Sequence, residues 1–224
     1  MAAREAREDS TYVALIGDVR RSRKVQERAL LQTVMEDALA TVNSRFKAEL
    51  AAGFVLTLGD EFQGLVHNPT SIVPVLISLE ELLGGAEVRY GVGLGRLSTQ
   101  LQEVALRTDG PCFHRARAAL LNAKRDDSWV KVEGFGDDDT VLNGVLQLMG
   151  DIRWNWTDTQ RKTVELMRRA GTQKEVAGER GVSSNAVSKT LKSASFEPLL
   201  AAEKSVATIF ERHPIRGKST EVVS

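Results

Sequence analysis

The chain has 224 residues, enough for one large domain or two smaller ones, and its 30 basic and 30 acidic residues leave no net charge. Its single cysteine, Cys112, excludes an internal disulfide and a multi-cysteine metal site, and no run approaches the roughly 20 apolar residues of a membrane span. The first ten residues are charged and alanine-rich, unlike a secretory signal, so we expect a cytoplasmic protein with no membrane partner.

Charge is distributed unevenly along the chain. The first 150 residues contain 17 basic and 21 acidic residues, whereas the part from Asp151 onward contains 13 basic and 9 acidic residues. Gly150 and Asp151 follow the last element predicted for the first part. We therefore predict two domains, residues 1–150 and residues 151–224, and an anionic partner for the second.

The first domain alternates between strand and helix patterns. Runs of β-branched and aromatic residues predict strands, and apolar residues at helical spacing predict helices. In chain order the predicted elements are a strand at 11–17, a helix at 26–51, a hairpin at 53–67, a helix at 71–83, a strand at 87–95, a helix at 112–123, a strand at 129–132 and a helix at 140–149. This order, βαββαβαβ before the last helix, predicts an α+β, ferredoxin-like sheet with helices on one face.

Acidic residues stand at the ends of two predicted strands. The first strand leads into Gly17 and Asp18, and the hairpin turns at Gly59 and Asp60, directly before Glu61. Carboxylates at the ends of neighbouring strands form the all-oxygen kind of site that Mg²⁺ prefers. We therefore predict a magnesium site at Asp18, Asp60 and Glu61. The alternative is that each acid only ends a strand or fills a turn.

A basic loop follows the first strand. Arg20, Arg21 and Arg23 lie close to Asp18 in the chain, where their guanidinium groups would clamp phosphates beside a bound metal. The alternative is a solvated turn. Further along, the strand at 87–95 has glycine at alternate positions, which lets another backbone or a ligand approach closely.

The tail contains a more specific pattern. Helices are predicted at 159–170, at 173–180, from Ser183 or Ser184 to about residue 193, and at 196–210. Thr172 begins a capping box, Gly181 ends the second helix, and Val182 is expected to pack inward. A helix, a Gly-Val turn and a helix indicate an all-α helix-turn-helix domain, whose second helix enters the major groove of DNA. The residues of that helix predicted to contact DNA are Ser184, Asn185, Ser188, Lys189 and Lys192.

The remaining expectations for the tail concern its contacts. The alternative to DNA binding is a helical hairpin with a solvated polar face. The helix at 196–210 is a candidate dimerisation element, and we expect a homodimer because symmetric dimers are the usual way in which such motifs gain affinity. Trp154 and Trp156 are expected to join the tail to the first domain.

Three motifs carry a resemblance to known families. They are Ile16-Gly17-Asp18-Val19, Leu58-Gly59-Asp60-Glu61-Phe62 and Tyr90-Gly91-Val92-Gly93-Leu94. With these motifs, residues 11–133 resemble the palm-type catalytic domain of GGDEF diguanylate cyclases and class III nucleotide cyclases. The chain over residues 11–195 resembles the SatD family of bacterial proteins.

The resemblance implies a nucleotide site. In the cyclase families an acid at the end of the first strand and one at the hairpin bind Mg²⁺ beneath a nucleoside triphosphate, and Asp18 and Asp60 match these positions. The glycine before each acid, Gly17 and Gly59, and the basic loop would then contact the nucleotide. His114 stands where those cyclases have a ribose-orienting asparagine, and Arg115 lies beside it as a phosphate contact.

Two residues depart from the cyclase pattern. Leu58 replaces the first glycine of the GGDEF hairpin, and Leu56 replaces a base-selecting lysine. Metal and phosphate binding could therefore persist without cyclase chemistry, and no catalytic residue is assigned.

Together these observations predict a regulator that binds DNA through its tail and a nucleotide with Mg²⁺ through its first domain. Two alternatives stay open. One is a metal-dependent nucleotidyl transferase or cyclase, and the other is a non-catalytic dimerisation domain that presents a DNA-binding module.

Overall fold

A five-stranded mixed sheet is built around the first strand. The computed structural model describes residues 10–20, 28–106 and 108–215. Its strands are β1 (Thr11–Val19), β2 (Leu50–Leu58), β3 (Glu61–Val66), β4 (Val88–Arg96) and β5 (Val130–Glu133). They lie in the order β2-β3-β1-β4-β5; β5 runs parallel to β4, and the other neighbours are antiparallel. The first four strands thus have ferredoxin-like order, and the predicted α+β class is confirmed.

The helices follow the predicted order with shifted ends. They are α1 (Arg28–Arg45), α2 (Ile72–Leu82), α3 (Pro111–Arg125), α4 (Asp138–Trp154), α5 (Asp158–Ala170), α6 (Gln173–Arg180), α7 (Ser184–Ser193) and α8 (Phe196–Phe210). The first helix ends before the predicted residue 51, because Leu50 already belongs to the sheet. The last helix predicted for the first domain continues to Trp154, so residues 150 and 151, the predicted boundary, fall inside α4.

Helices cover both faces of the sheet, so the expectation of helices on one face is wrong. Side chains alternate along β1, and Val13 and Leu15 join a large core with residues of α1, α2 and α4. Ala14 and Ile16 join a second core with α3 on the opposite face. A strand that is apolar on both faces needs cover on both, and this is why its sequence reads as a continuous apolar run.

The glycines of β4 serve the approach of a helix. A Cβ on Gly91 would lie 2.1 Å from the carbonyl oxygen of Ala116, and one on Gly93 would lie 2.2 Å from that of Cys112. Both neighbours belong to the backbone of α3. Of the two expectations for this strand, a close backbone or a close ligand, the structure shows the backbone.

Both edge strands are covered by an asparagine side chain. Asn43 of α1 accepts from the amide of Phe54 at 2.6 Å and donates to its carbonyl at 2.9 Å. Asn143 of α4 does the same for Val132, at 2.7 and 3.0 Å. Each asparagine satisfies a backbone pair that would otherwise be open on a sheet edge.

A buried polar cluster joins the sheet to the tail. The indole Nε1 of Trp129 and the guanidinium of Arg153 both donate to Glu80 of α2. Arg153 also lies 5.2 Å from the ring centres of Trp129 and Trp156. The indole of Trp156 donates to the carbonyl of Ala194, at the end of α7, at 2.9 Å. Trp156 therefore reaches the first part of the chain through Arg153, and Trp154 contacts it directly, with Arg20 5.0 Å from its ring centre.

Candidate functional site

The backbones of the three predicted metal ligands lie at one end of the sheet. In the register between β1 and β3, Asp18 lies opposite Glu61, and the amide of Val19 donates to the carbonyl of Asp60 at 3.3 Å. Gly59 adopts a left-handed conformation (φ 65°) in the turn between β2 and β3, as a tight hairpin requires. We refer to Asp18, Asp60 and Glu61 as the acidic rim.

Two cations from α3 bind this acidic rim. The ammonium of Lys124 lies 2.7 Å from Oδ1 of Asp18, and the guanidinium of Arg117 donates through both terminal nitrogens to the carboxylate of Glu61. The hydroxyl of Thr57 adds a bond to Glu61 at 3.2 Å. The side chains of Asp18 and Glu61 are only 17% and 14% exposed, so their negative charge is compensated inside the protein.

The pairing of the acidic rim with two cations bears on metal binding. Mg²⁺ usually takes one or two carboxylates together with phosphate oxygens and water. Among the described residues, no three His, Cys, Asp or Glu side chains form a group that could hold a metal ion. The acidic rim is thus paired with two cations and does not form a three-ligand metal group in this structure.

Arg20, the one described residue of the predicted phosphate clamp, binds two acidic side chains of the protein. Arg20 donates to Glu87 at 2.6 Å and to Asp127 at 2.7 Å, and it lies 5.0 Å from the ring centre of Trp154. Its side chain is 16% exposed. Arg20 thus links β1, the loop before β5 and the end of α4. The other two arginines of the basic loop, Arg21 and Arg23, lie outside the described residues.

The glycine before Asp18 makes room for a core side chain. A Cβ on Gly17 would lie 2.3 Å from the ring of Phe62, whereas Gly59 has open space around its Cα. The side chain of Phe62 is completely buried beneath the sheet. Packing in the core is therefore a sufficient reason for glycine at position 17.

His114 and Arg115 lie far from the acidic rim. The guanidinium of Arg115 donates to the carbonyl of Leu94, whose partner on β1 is Val13. Val13 and Asp18 are five residues apart on the strand, a span of about 17 Å. The structure thus brings the acids together but does not bring His114 or Arg115 to them.

Lys124 and Arg117 are not predicted from the sequence as partners of the acids. These two residues are seven positions apart, two helical turns, and so lie on the same side of α3. That spacing was readable from the sequence. The acids they would meet could not be read from it, because they belong to other segments of the chain.

The tail helices form as their capping residues predict. The hydroxyl of Thr172 accepts from the amide of Glu175, and that of Ser183 accepts from the amide of Ala186. Gly181 ends α6 in a left-handed conformation (φ 64°). Val182 does not pack inward as expected: its side chain is 42% exposed, while its amide donates to the carbonyl of Ala177.

One face of α7 is polar and open to solvent. Val187 and Leu191 are buried and hold the helix against its neighbours. The residues predicted to contact DNA are all exposed; they are Ser184, Asn185, Ser188, Lys189 and Lys192. This face carries donors and acceptors that can reach base edges and two ammonium groups that can reach phosphates.

The apolar face of α8 is occupied within the chain. Leu199, Val206 and Phe210 are buried, and the ring of Phe210 lies 5.2 Å from that of Phe135 in the sheet part. The candidate dimerisation element therefore uses this face against its own chain. The homodimer stays a prediction.

The chain was compared with known proteins. The protein-family model described as SatD family matches residues 12–210. No curated protein matches the chain. A similar solved structure is that of a regulator of polyketide synthase expression from Bifidobacterium adolescentis, with 13% identity and a TM-score of 0.28, covering 91% of this chain and 86% of that one. A likeness at this score carries no functional argument. Within the described parts of the chain, no helix is long and apolar enough to cross a membrane.

Proposed function

The chain belongs to the SatD family, and we propose that it is a regulator that binds DNA through α7. The observation that carries the proposal is the polar, solvent-exposed face of α7. This helix is capped by Ser183, shortly after Gly181 ends α6. A short helix held by a buried apolar face and a tight turn matches the geometry in which a recognition helix enters the major groove. The excess of basic residues in the tail favours the same partner.

The side chains of α7 suggest separate roles. The carboxamide of Asn185 is suited to a bidentate contact with adenine, and it stands in the first turn of the helix, where base contacts are made. The ammonium groups of Lys189 and Lys192 are suited to phosphates and would contribute affinity without sequence preference.

The test separates these roles. A pool of random DNA duplexes is enriched on the full-length protein, and the selected duplex is then titrated by fluorescence anisotropy at several salt concentrations. Lys189→Gln and Lys192→Gln should each lower the salt slope by about 1, and Asn185→Ala should relax the sequence preference. Lys47→Gln, an exposed lysine of the sheet part, is the matched control. Failure to enrich any duplex, or equal effects of all the lysine variants, would refute the proposal.

A second candidate function belongs to the acidic rim. We infer that it binds a nucleoside triphosphate with Mg²⁺, with Asp18 and Asp60 holding the ion and Glu61 beside them. The supporting observation is that Asp18 and Glu61 lie side by side at one end of the sheet, each paired with a cation of α3. Bound Mg²⁺ would neutralise phosphate charge and activate a hydroxyl group.

Binding at this rim requires the two cations of α3 to change partners. Lys124 and Arg117 would leave Asp18 and Glu61 and bind phosphate oxygens, which accept the same charge-assisted hydrogen bonds. Each of the two cations keeps an anionic partner in this exchange. The exchange also predicts that Lys124→Met weakens nucleotide binding but strengthens the binding of Mg²⁺ alone, because Asp18 loses a competing cation.

Titration calorimetry with ATP and GTP, each with and without Mg²⁺, tests this second candidate. We expect heat of binding that is lost in Asp18→Asn and Asp60→Asn and kept in Glu197→Gln, an exposed acid on α8. Chromatography of the same mixtures identifies a nucleotidyl transferase or cyclase by its product. If neither nucleotide binds, the sheet part has no such site and the non-catalytic alternative is favoured, which light scattering of the oligomer then tests.

A further inference from the structure

A groove separates α2 from α8, on the side of the molecule where the tail returns to the sheet part. Its volume is about 450 Å³, within the range of small-molecule sites. The end of α1 and the outer side of α2 form one wall, α8 forms the other, and Arg168 of α5 lies at the base. Both parts of the chain would therefore contact anything bound there.

The lining of the groove combines apolar side chains with five charged ones. Phe46, Val73, Ile77 and Leu200 supply apolar surface continuous with the main core. A mostly apolar lining with a small number of fixed polar groups is the usual composition of a ligand site. The apolar side chains of the groove would contact the body of a ligand, and the charged side chains would contact its head group.

The charged groups leave a positive excess. Arg168 and Glu203 form two hydrogen bonds with each other, so their charges cancel. Burial raises the pKa of Glu81. Even with Glu81 ionised, the three cations of the lining, Arg45, Arg168 and Lys204, exceed its two acids by one. Arg45 donates to the neutral hydroxyl of Ser78 at 2.8 Å, and within the described residues neither it nor Lys204 forms an ion pair.

We propose that this groove binds a small amphipathic molecule with an apolar body and one anionic group. The body lies on Phe46, Ile77 and Leu200, and the anion lies between Arg45 and Lys204. This site is separate from the acidic rim and from the open face of α7. Its test therefore succeeds or fails independently of the DNA and nucleotide proposals.

The experiment is a fluorescence competition on the full-length protein. The fluorescent anion 1-anilinonaphthalene-8-sulfonate is bound first and then displaced by decanoate, with decyltrimethylammonium as the cationic probe of equal chain length. Decanoate should displace the dye at about tenfold lower concentration than the cation does. Arg45→Gln combined with Lys204→Gln should abolish this preference, because both substitutions remove charge at exposed positions and leave the apolar lining intact.

A second pair of variants locates the site. Ala207→Trp fills the groove and should weaken decanoate binding by about tenfold or more. Ala201→Trp places the same side chain at an exposed position of the same helix and should leave binding unchanged. Equal displacement by both probes, a preference that survives the double glutamine variant, or equal behaviour of the two tryptophan variants would overturn the proposal. Circular dichroism confirms that each variant is folded.

Discussion

Removal of one charge from the buried cluster between sheet and tail should strongly destabilise the protein. Arg153 and Glu80 have side chains that are only 4% and 5% exposed, and their closest nitrogen–oxygen distance is 2.5 Å. Glu80 also accepts from Trp129 at 2.7 Å. Glu80→Gln keeps the shape and the acceptor for Trp129 but removes the closest counter-ion of the buried guanidinium.

The expected loss follows from that burial. Breaking a buried pair by removing one partner typically costs about 3–5 kcal/mol, since a buried charge stays uncompensated. For a chain of this size, each kcal/mol lowers the melting temperature by about 2–4 °C, so Glu80→Gln should melt roughly 6–20 °C below the native protein. Replacement of both charges, in Glu80→Leu with Arg153→Met, should recover much of this loss because no charge is left buried.

Thermal unfolding followed by circular dichroism, and urea unfolding followed by tryptophan fluorescence, measure the loss. The control is Glu179→Gln, which breaks the ion pair between Glu179 and Arg169. The side chains of these two residues are 50% and 69% exposed, respectively. An exposed pair is worth about 0–1 kcal/mol. If Glu80→Gln costs no more than this control, or if the double variant is less stable than either single variant, the reasoning from burial is wrong.

Five further substitutions, at two asparagines, two glycines and the cysteine, test the packing around the sheet. Asn43→Leu and Asn143→Leu should each cost about 1–3 kcal/mol and speed amide hydrogen exchange on the adjacent edge strand, because a backbone pair loses its partner. Gly91→Ala should destabilise by at least about 1–3 kcal/mol, whereas Gly144→Ala, with open space on α4, should stabilise by about 0.5–1 kcal/mol in urea unfolding. Burial raises the pKa of the Cys112 thiol from 9.0 to about 12, so the folded chain keeps a proton that the unfolded chain loses. Between pH 9 and 12 its stability relative to Cys112→Ala should fall with rising pH, by up to about 1.4 kcal/mol per pH unit.

Local patterns predicted the tail well. The bounds of α6 and α8 agree with those predicted from the sequence. For α6 the reason is local: Thr172 begins the helix and Gly181 ends it through hydrogen bonds to residues only a few positions away. The exposure of Val182 was missed, since its amide closes the turn while other valines supply the contact between the helices. Sequence patterns whose hydrogen-bond partners lie within one helical turn can be interpreted without knowledge of the fold.

The partners of the acidic rim could not be read in this way. Lys124 and Asp18 are 106 positions apart, and Arg117 and Glu61 are 56 apart. Such pairs depend on which face of β1 carries each acid and on which helix covers that face. Arg20 is predicted to bind phosphate because it stands close to Asp18 in the chain, and in the fold it contacts three segments that are distant in sequence.

The chemistry of the acidic rim depends on the glycines of β4. Asp18 and Glu61 point toward α3, as do positions 91 and 93, because all four lie on the same face of the sheet. Glycine at positions 91 and 93 lets the backbone of α3 approach to within contact of the strand. That approach brings the cations of the helix to the carboxylates, which otherwise would repel each other at the end of neighbouring strands. A side chain at position 91 would move α3 outward and change the charge of the rim together with the packing of the sheet.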